Sequence, residues 1–424
     1  MAAEKDVTQS RAGLMKPGSF RRIFIISGLM ILVIIYAVLW LQMIADPVQR
    51  TGSDFIAFYA AGRVAQEYGT SRVYDVSLEQ AVQQQVVGFD LVPGQVLLYN
   101  HVPFLVPILM ALVNGNYVAS FIRWVLVLLV VFIAGITILT RFLRGEAWER
   151  ADVWIAGAGL VAFYPLFTSL TNGQDSAFTF FGLCLWAAGL LTGRDWLAGF
   201  GLALTSVRPQ ITFFLAVPFL FHRQKVFAWF CLGFAILGLL SLAIIGPAGA
   251  RGFLDLLLVS AGGTWFGLHE DAMVDLVGLL WRFLPFLGGD AIRWIGWAAY
   301  ALALVGLCAV WRRARTLDEK HIGLAVVLAV FASPHLHYHD LALLLVPLAL
   351  VMVFLVRRGY MQARHASLIP LVSSLALLLG SLVPALKYNL PVFLMAMLVL
   401  FLWIPQKIFW TKKRITKKRI VEAS

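Results

Sequence analysis

The chain has 424 residues, of which 61% are hydrophobic and only 13% charged, with a formal net charge of +12. This balance excludes an ordinary soluble domain and a hydrated disordered chain, and bilayer burial accounts for it. Nucleic acid is not the partner implied by the positive charge. The lysines and arginines sit in short connections between apolar runs and in Lys412-Lys413-Arg414 and Lys417-Lys418-Arg419, the pattern of cytoplasmic loops next to anionic lipid. Cys184, Cys231 and Cys308 all lie in apolar runs and behave as small hydrophobes, so neither a disulfide framework nor a Cys-rich metal site is indicated.

In chain order, residues 1–20 form a polar cytoplasmic tail with Lys5, Arg11 and Lys16. No small-residue cleavage site follows the apolar run 21–45, which is therefore a retained span. An outer loop, 46–117, comes next. It is long enough for a helix over Phe55–Tyr68 and another after Ser77, where Ser77 and Gln80 form a capping-box pair. Residues 99–113 are apolar but interrupted by Pro103 and Pro107. Counting them as a crossing would put most later Lys and Arg outside, so they are laid on the outer surface.

Further spans are expected over 118–141, 152–170, 175–192, 196–207, 209–221, 226–245, 291–311, 321–333, 341–356, 367–385 and 390–406. This makes an all-α polytopic protein of about twelve transmembrane helices with outer-face loop helices. The pair 196–207 and 209–221 is short and meets at Arg208-Pro209, a hairpin whose broken tip must be covered by protein or a water-filled cavity. A second outer loop, 246–290, mixes Gly, Trp and acidic residues and has room for a re-entrant piece. The chain then divides into a main module over 21–350, C-terminal helices over 351–406 and a basic cytoplasmic tail over 407–424. Both termini lie in the cytoplasm.

On this topology the polar residues that are costly near hydrocarbon gather on the outer side: Asp54, Asn172, Gln174, Asp175, Arg208, His335, His337, His339 and Asp340. Each also has a plain structural explanation. Asp54 could cap the helix that begins at Phe55. Arg208 could snorkel or neutralise a carboxylate. The alternating His335, His337 and His339 could ligate a metal in an extended segment, although nothing in the pattern requires one. Asn172-Gly173-Gln174 has the composition of a tight turn.

The order of motifs resembles glycosyltransferase family 87, within the polyprenol-phosphate-dependent C-type superfamily. The strings are SDFIAFYAAGRVAQEYGTSRVYD (Ser53 to Asp75), YNHVPFLVPILMAL (Tyr99 to Leu112), NGQDSAFTFFGL (Asn172 to Leu183), LAGFGLALTSVRPQ (Leu197 to Gln210) and ASPHLHYHDLALLLVP (Ala332 to Pro347). The likeness spans roughly residues 20 to 350. Each motif is soft, and their shared order carries the specificity. Asp175 stands where the pattern more often has Asn, and Arg208 where Lys is common.

The resemblance implies a C-type fold and transfer of a sugar, mannose or another hexose, from a polyprenyl phosphate to a lipid-linked or cell-envelope acceptor on the outer face of the cell membrane. It implies no cofactor. Asp54 corresponds to the acidic residue of the first outer loop, hence to a general base. Arg208 is the expected contact for the donor phosphate, with His335, His337 and His339 as further donors. Tyr59, Arg63, Tyr99, Asn172, Gln174 and Asp340 are expected substrate contacts. One singled-out carboxylate favours inversion over a covalent glycosyl-enzyme. The competing expectation is a transporter or flippase of a lipid-linked sugar, which broken helices and intramembrane polar groups would also serve.

Overall fold

The computed structural model describes residues 17–45, 54–144, 147–261 and 270–403, and among them the regular structure is helical, without strands. Both tails and the 46–53 junction, including Ser53, fall outside these residues. Among the described residues, eight helices are long and apolar enough to cross a bilayer: Phe20–Ala45, Tyr117–Phe142, Arg150–Asn172, Gln224–Val259, Gly289–Arg313, Tyr338–Arg357, Ala363–Ser381 and Pro384–Trp403. Of the other expected spans, Ser176–Thr192 and Pro209–Leu220 are shorter apolar helices. Asp195–Leu204 and Glu319–Phe331 have only 10 and 13 residues. At 1.5 Å of rise per residue such pieces cover about 15 to 20 Å, short of the hydrocarbon thickness. The stretch Pro103–Leu112 is also too short to cross, consistent with leaving it out of the crossings.

Burial orders these helices. Tyr338–Arg357 is 89% buried along its apolar window, whereas Phe20–Ala45, Gln224–Val259 and Gly289–Arg313 are 17% buried and turn wide apolar faces outward, as lipid-facing helices do. Inside, Ser176–Thr192 packs against Asp195–Leu204 through backbone contact. A Cβ on Gly182 would lie 2.7 Å from the Gly201 carbonyl oxygen, so only glycine fits there.

Two expectations about local structure change. The second loop helix is Val76–Val87, and its cap is Asp75, not Ser77. Asp75 has extended backbone angles, and its carboxylate accepts from the amides of Ser77 and Leu78 at 3.1 and 3.4 Å, while Gln80 donates instead to the Leu91 carbonyl. The run 226–245 does not stop at Gly246. The helix is resumed after Gly246 and Pro247 and reaches Ala261, with glycine supplying φ 66° at the kink. By contrast, the loop helix Phe55–Tyr68 has the boundaries read from the sequence.

The Arg150–Asn172 span is broken after Val161 and restarts at Tyr164 with Pro165 in its first turn. Hydroxyls from two other helices satisfy the exposed backbone. Tyr36 and Ser374 donate to the Ala162 carbonyl at 2.9 and 2.8 Å, and Ser374 accepts from the Tyr164 amide at 2.9 Å. The bundle thus has two distinct ends. At one, Arg21 pairs with Asp152 at 2.6 Å near the starts of two parallel helices. At the other end of the same helices, Trp40 donates to Thr171 at 3.2 Å, and the unusual polar residues begin just beyond, at Asn172.

Candidate active site

The Asn172-Gly173 turn sets the floor of the site. Gly173 adopts φ 67°, and a Cβ there would come 2.7 Å from Phe55 Cβ, so the turn seats directly against the start of the Phe55–Tyr68 helix. Trp124 fixes it from the side by donating to the Gly173 carbonyl at 2.7 Å. This brings Asp54, Gln174 and Asp175 to one place.

Asp54 occupies the cap position with helical backbone angles (φ −58°, ψ −18°), and its side chain accepts no helix amide. The plain capping role is therefore unfilled. Its carboxylate is one-third exposed, and the nearest ring nitrogen, Nδ1 of His339, is 3.9 Å away.

From His339 a continuous chain of alternating acids and bases runs inward. Nε2 of His339 is 3.4 Å from Asp340 Oδ2. Asp340 Oδ1 accepts from Ser176 at 2.7 Å and from Nε of Arg208 at 3.1 Å. Arg208 donates to Gln174 at 3.1 Å and forms an ion pair with Asp175 at 3.0 Å, and the far oxygen of Asp175 is 2.7 Å from Nδ1 of His101. Burial pushes the Asp175 carboxyl up, but His101 and Arg208 outweigh it and hold it below the usual carboxylate range. Burial opposes the charge of Arg208, yet Asp340 and Asp175 raise its pKa overall. The guanidinium is flanked by two carboxylates and is not a free cation.

The Arg208-Pro209 break explains how a guanidinium arrives here. The Thr205–Val207 turn ends a helix, Pro209 begins the next, and the Arg208 backbone is tied at both ends: its amide donates to Thr205 and its carbonyl accepts from Ile211 and Thr212. The side chain then reaches the acid pair.

His335 and His337 stack edge to face with centroids 4.8 Å apart. Burial, with smaller contributions from neighbouring charges, pulls His335 down to about 4 and holds His337 well below the usual imidazole range, so both are neutral imidazoles. They can donate one hydrogen bond each but bring no charge. Their loop is held by the segment before the Leu276–Phe283 helix: the Val274 amide donates to the Leu336 carbonyl at 2.9 Å, and buried Asp275 accepts from Gly278 at 2.8 Å. Burial lifts Asp275 to about 7 against the pull of backbone donors that include Leu336. Because the folded pKa lies above the unfolded one, the protonated acid stabilises the fold at low pH, and this contribution is lost as pH rises from about 4 through about 7. Melting temperatures across that range should therefore fall more steeply in the wild type than in Asp275→Asn, and parallel curves would show that Asp275 does not titrate in this window.

The other expected contacts are placed differently. The Tyr59 hydroxyl donates to the Asn114 carbonyl at 2.8 Å. Arg63 pairs with Glu67 and Gln66 on its own helix. Tyr99 is fully buried, its amide bound to Glu79 at 3.1 Å, and it lies behind His101 with ring centroids 5.5 Å apart. None of the three joins the chain that starts at Asp54. Asn172 does stand beside it, at the helix end preceding Gly173. Sequence reasoning missed His101 as a site residue, although it lies within the Tyr99–Leu112 string. A polar ring beside an apolar segment was the available signal.

A search among curated proteins found no match. A family model, glycosyltransferase family 87, matches residues 98–334, more than half of the chain. His101, Gln174, Asp175 and Arg208 lie inside the matched region, whereas Asp54, His337, His339 and Asp340 lie outside it. A multi-helical membrane protein with this match is a membrane glycosyltransferase, and the chain belongs to glycosyltransferase family 87.

Proposed function

We propose that the protein transfers a hexose, such as mannose, from a polyprenyl phosphate to a lipid-linked or envelope glycan, with Asp54 as the general base. The observation that carries this proposal is the state of the Asp54 carboxylate. It is the acid of the cluster that is bound neither to a helix cap nor to a guanidinium, and it is reachable from outside. An acceptor hydroxyl within about 3 Å could give it a proton while attacking the anomeric carbon. The new bond joins the acceptor oxygen to that carbon as the bond to the phosphate oxygen breaks, and polyprenyl phosphate leaves. Because Asp175 and Asp340 are held by Arg208 and so unsuited to forming a covalent intermediate, a single displacement with inversion is favoured.

In this scheme Gln174 anchors Arg208, which holds Asp340 and Asp175, and Asp340 in turn orients His339 toward Asp54. The spare NH groups of Arg208, His335 and His337 are hydrogen-bond donors for the phosphate, and Asn172 contacts the sugar at the mouth. Protein in lipid nanodiscs, supplied with labelled polyprenyl-phosphate hexoses, should release polyprenyl phosphate and form a product of opposite anomeric configuration. Absence of turnover with every such donor, alongside turnover of a nucleotide sugar, would overturn the donor assignment.

We propose the outer face for the reaction, with both termini in the cytoplasm, on the positive-inside bias of the basic connections in the sequence. On a cysteine-free background, Gly115→Cys is expected to react with an impermeant thiol reagent in intact cells, and Arg194→Cys only after permeabilisation. The reverse pattern would move the site to the inner face.

A further inference from the structure

The Asp54 cluster is short of positive charge for an anionic donor. Arg208 is balanced by Asp175 and Asp340, and His335 and His337 are neutral. A polyprenyl phosphate seated at Asp54 thus needs a cation from elsewhere.

A cleft of about 460 Å³ opens beside the cluster. Its inner wall includes Asn172 and Tyr338, the chain neighbours of Gly173, which packs on Phe55, and of His339, which faces Asp54. Its lateral wall is apolar, formed by Leu39, Met43 and Phe167, and leads onto the outward-turned face of Phe20–Ala45. Lys387 is the one cation among the lining residues. It has no carboxylate partner among the described residues and rests over the Tyr388 ring, 4.9 Å from its centroid.

The turn that carries Lys387 is braced. Arg282 donates to the Asn389 side chain at 2.6 Å and to the Tyr388 carbonyl at 3.2 Å, and its other NH groups reach the carbonyls of Asp271 and Met273 at 2.6 and 2.7 Å. Arg282 is consumed by this bracing, while Lys387 is left unpaired at the cleft.

The geometry points to Lys387 as the cation that receives the phosphate of the polyprenyl-phosphate donor, with the first isoprene units lying along Leu39, Met43 and Phe167 and the sugar directed toward Asp54. This rests on the proposed donor class and adds the subsite that binds it. A lysine suits the position, since a compact ammonium can follow a phosphate as the sugar departs without the fixed angle of a guanidinium fork.

The test measures binding and turnover separately, in phosphatidylcholine nanodiscs. A fluorescent polyprenyl monophosphate should bind the wild type, and Lys387→Ala should weaken it roughly tenfold or more, as expected for losing a charge-assisted contact to phosphate, with Lys387→Arg recovering part of the loss. Unphosphorylated polyprenol should bind both forms alike. Equal affinity of the wild type and Lys387→Ala for the monophosphate would overturn the assignment. So would phosphatidylglycerol competing as well as the polyprenyl phosphate, which would mark a general contact for anionic lipid. If Lys387-dependent binding is present but no hexose is transferred, the subsite stands and the enzymatic proposal fails. If transfer is present and Lys387→Ala keeps the wild-type KM for the donor, the reverse holds.

Discussion

Arg208→Ala is expected to abolish turnover and to destabilise the protein by about 3–5 kcal/mol, the usual cost of leaving buried carboxylates without their cation. Asp175 is fully buried and Asp340 nearly so, and Arg208 stands between them at 3.0 and 3.1 Å. Removing the guanidinium leaves two acids facing each other inside the bundle, with His101 and His339 as their remaining partners. Adding Asp175→Asn to Arg208→Ala removes one of those charges and should restore part of the melting temperature without restoring turnover, because Asp340 and His339 would still lack their anchor. Arg208→Lys should fall between, since one ammonium cannot meet Asp340, Asp175 and Gln174 together. A folded Arg208→Ala protein with wild-type stability and rate would show that the acid pair is held by something else.

Asp175 and Arg208 lie far apart in the chain and contact one another. Asp175 brings a buried negative charge, and the Arg208 guanidinium has the donors to meet it alongside Asp340. Their separation along the chain hid the pairing from sequence reasoning.

Local signals were legible where they were strong. Phe55–Tyr68 could be bounded because Gly69 ends it with φ 90°, and the break at Arg208-Pro209 could be seen because proline cannot continue a helix interior. Asp75 and Ser77 are both good caps by residue type, and the choice between them depends on an extended backbone at Asp75 that composition does not encode. Short helices such as Asp195–Leu204 and Glu319–Phe331 read as crossings on hydrophobicity alone, since burial inside protein and burial in lipid select the same side chains. Of the polar residues singled out in the sequence, the structure brings together Asp54, Gln174, Asp175, Arg208, His339 and Asp340. Tyr59 and Arg63 share the loop helix with that cluster but bond elsewhere, a matter of helix face and local partners.

The second large effect concerns Asp54. Its side chain makes no cap bond, so both Asp54→Asn and Asp54→Ala should leave the melting temperature nearly unchanged. What both remove is the proton acceptor, which should lower the chemical rate by roughly 10² to 10⁴-fold while leaving donor binding intact. A residue that merely shapes the pocket would instead weaken binding, and Asn, nearly the same size as Asp, would rescue it. The decisive measurement is single-turnover transfer from a saturating polyprenyl-phosphate hexose by wild type and Asp54→Asn, with donor affinity measured on the same preparations. The mechanism predicts equal affinity and a rate reduced by about two to four orders of magnitude; an Asp54→Asn protein that transfers the sugar at the wild-type rate would contradict it.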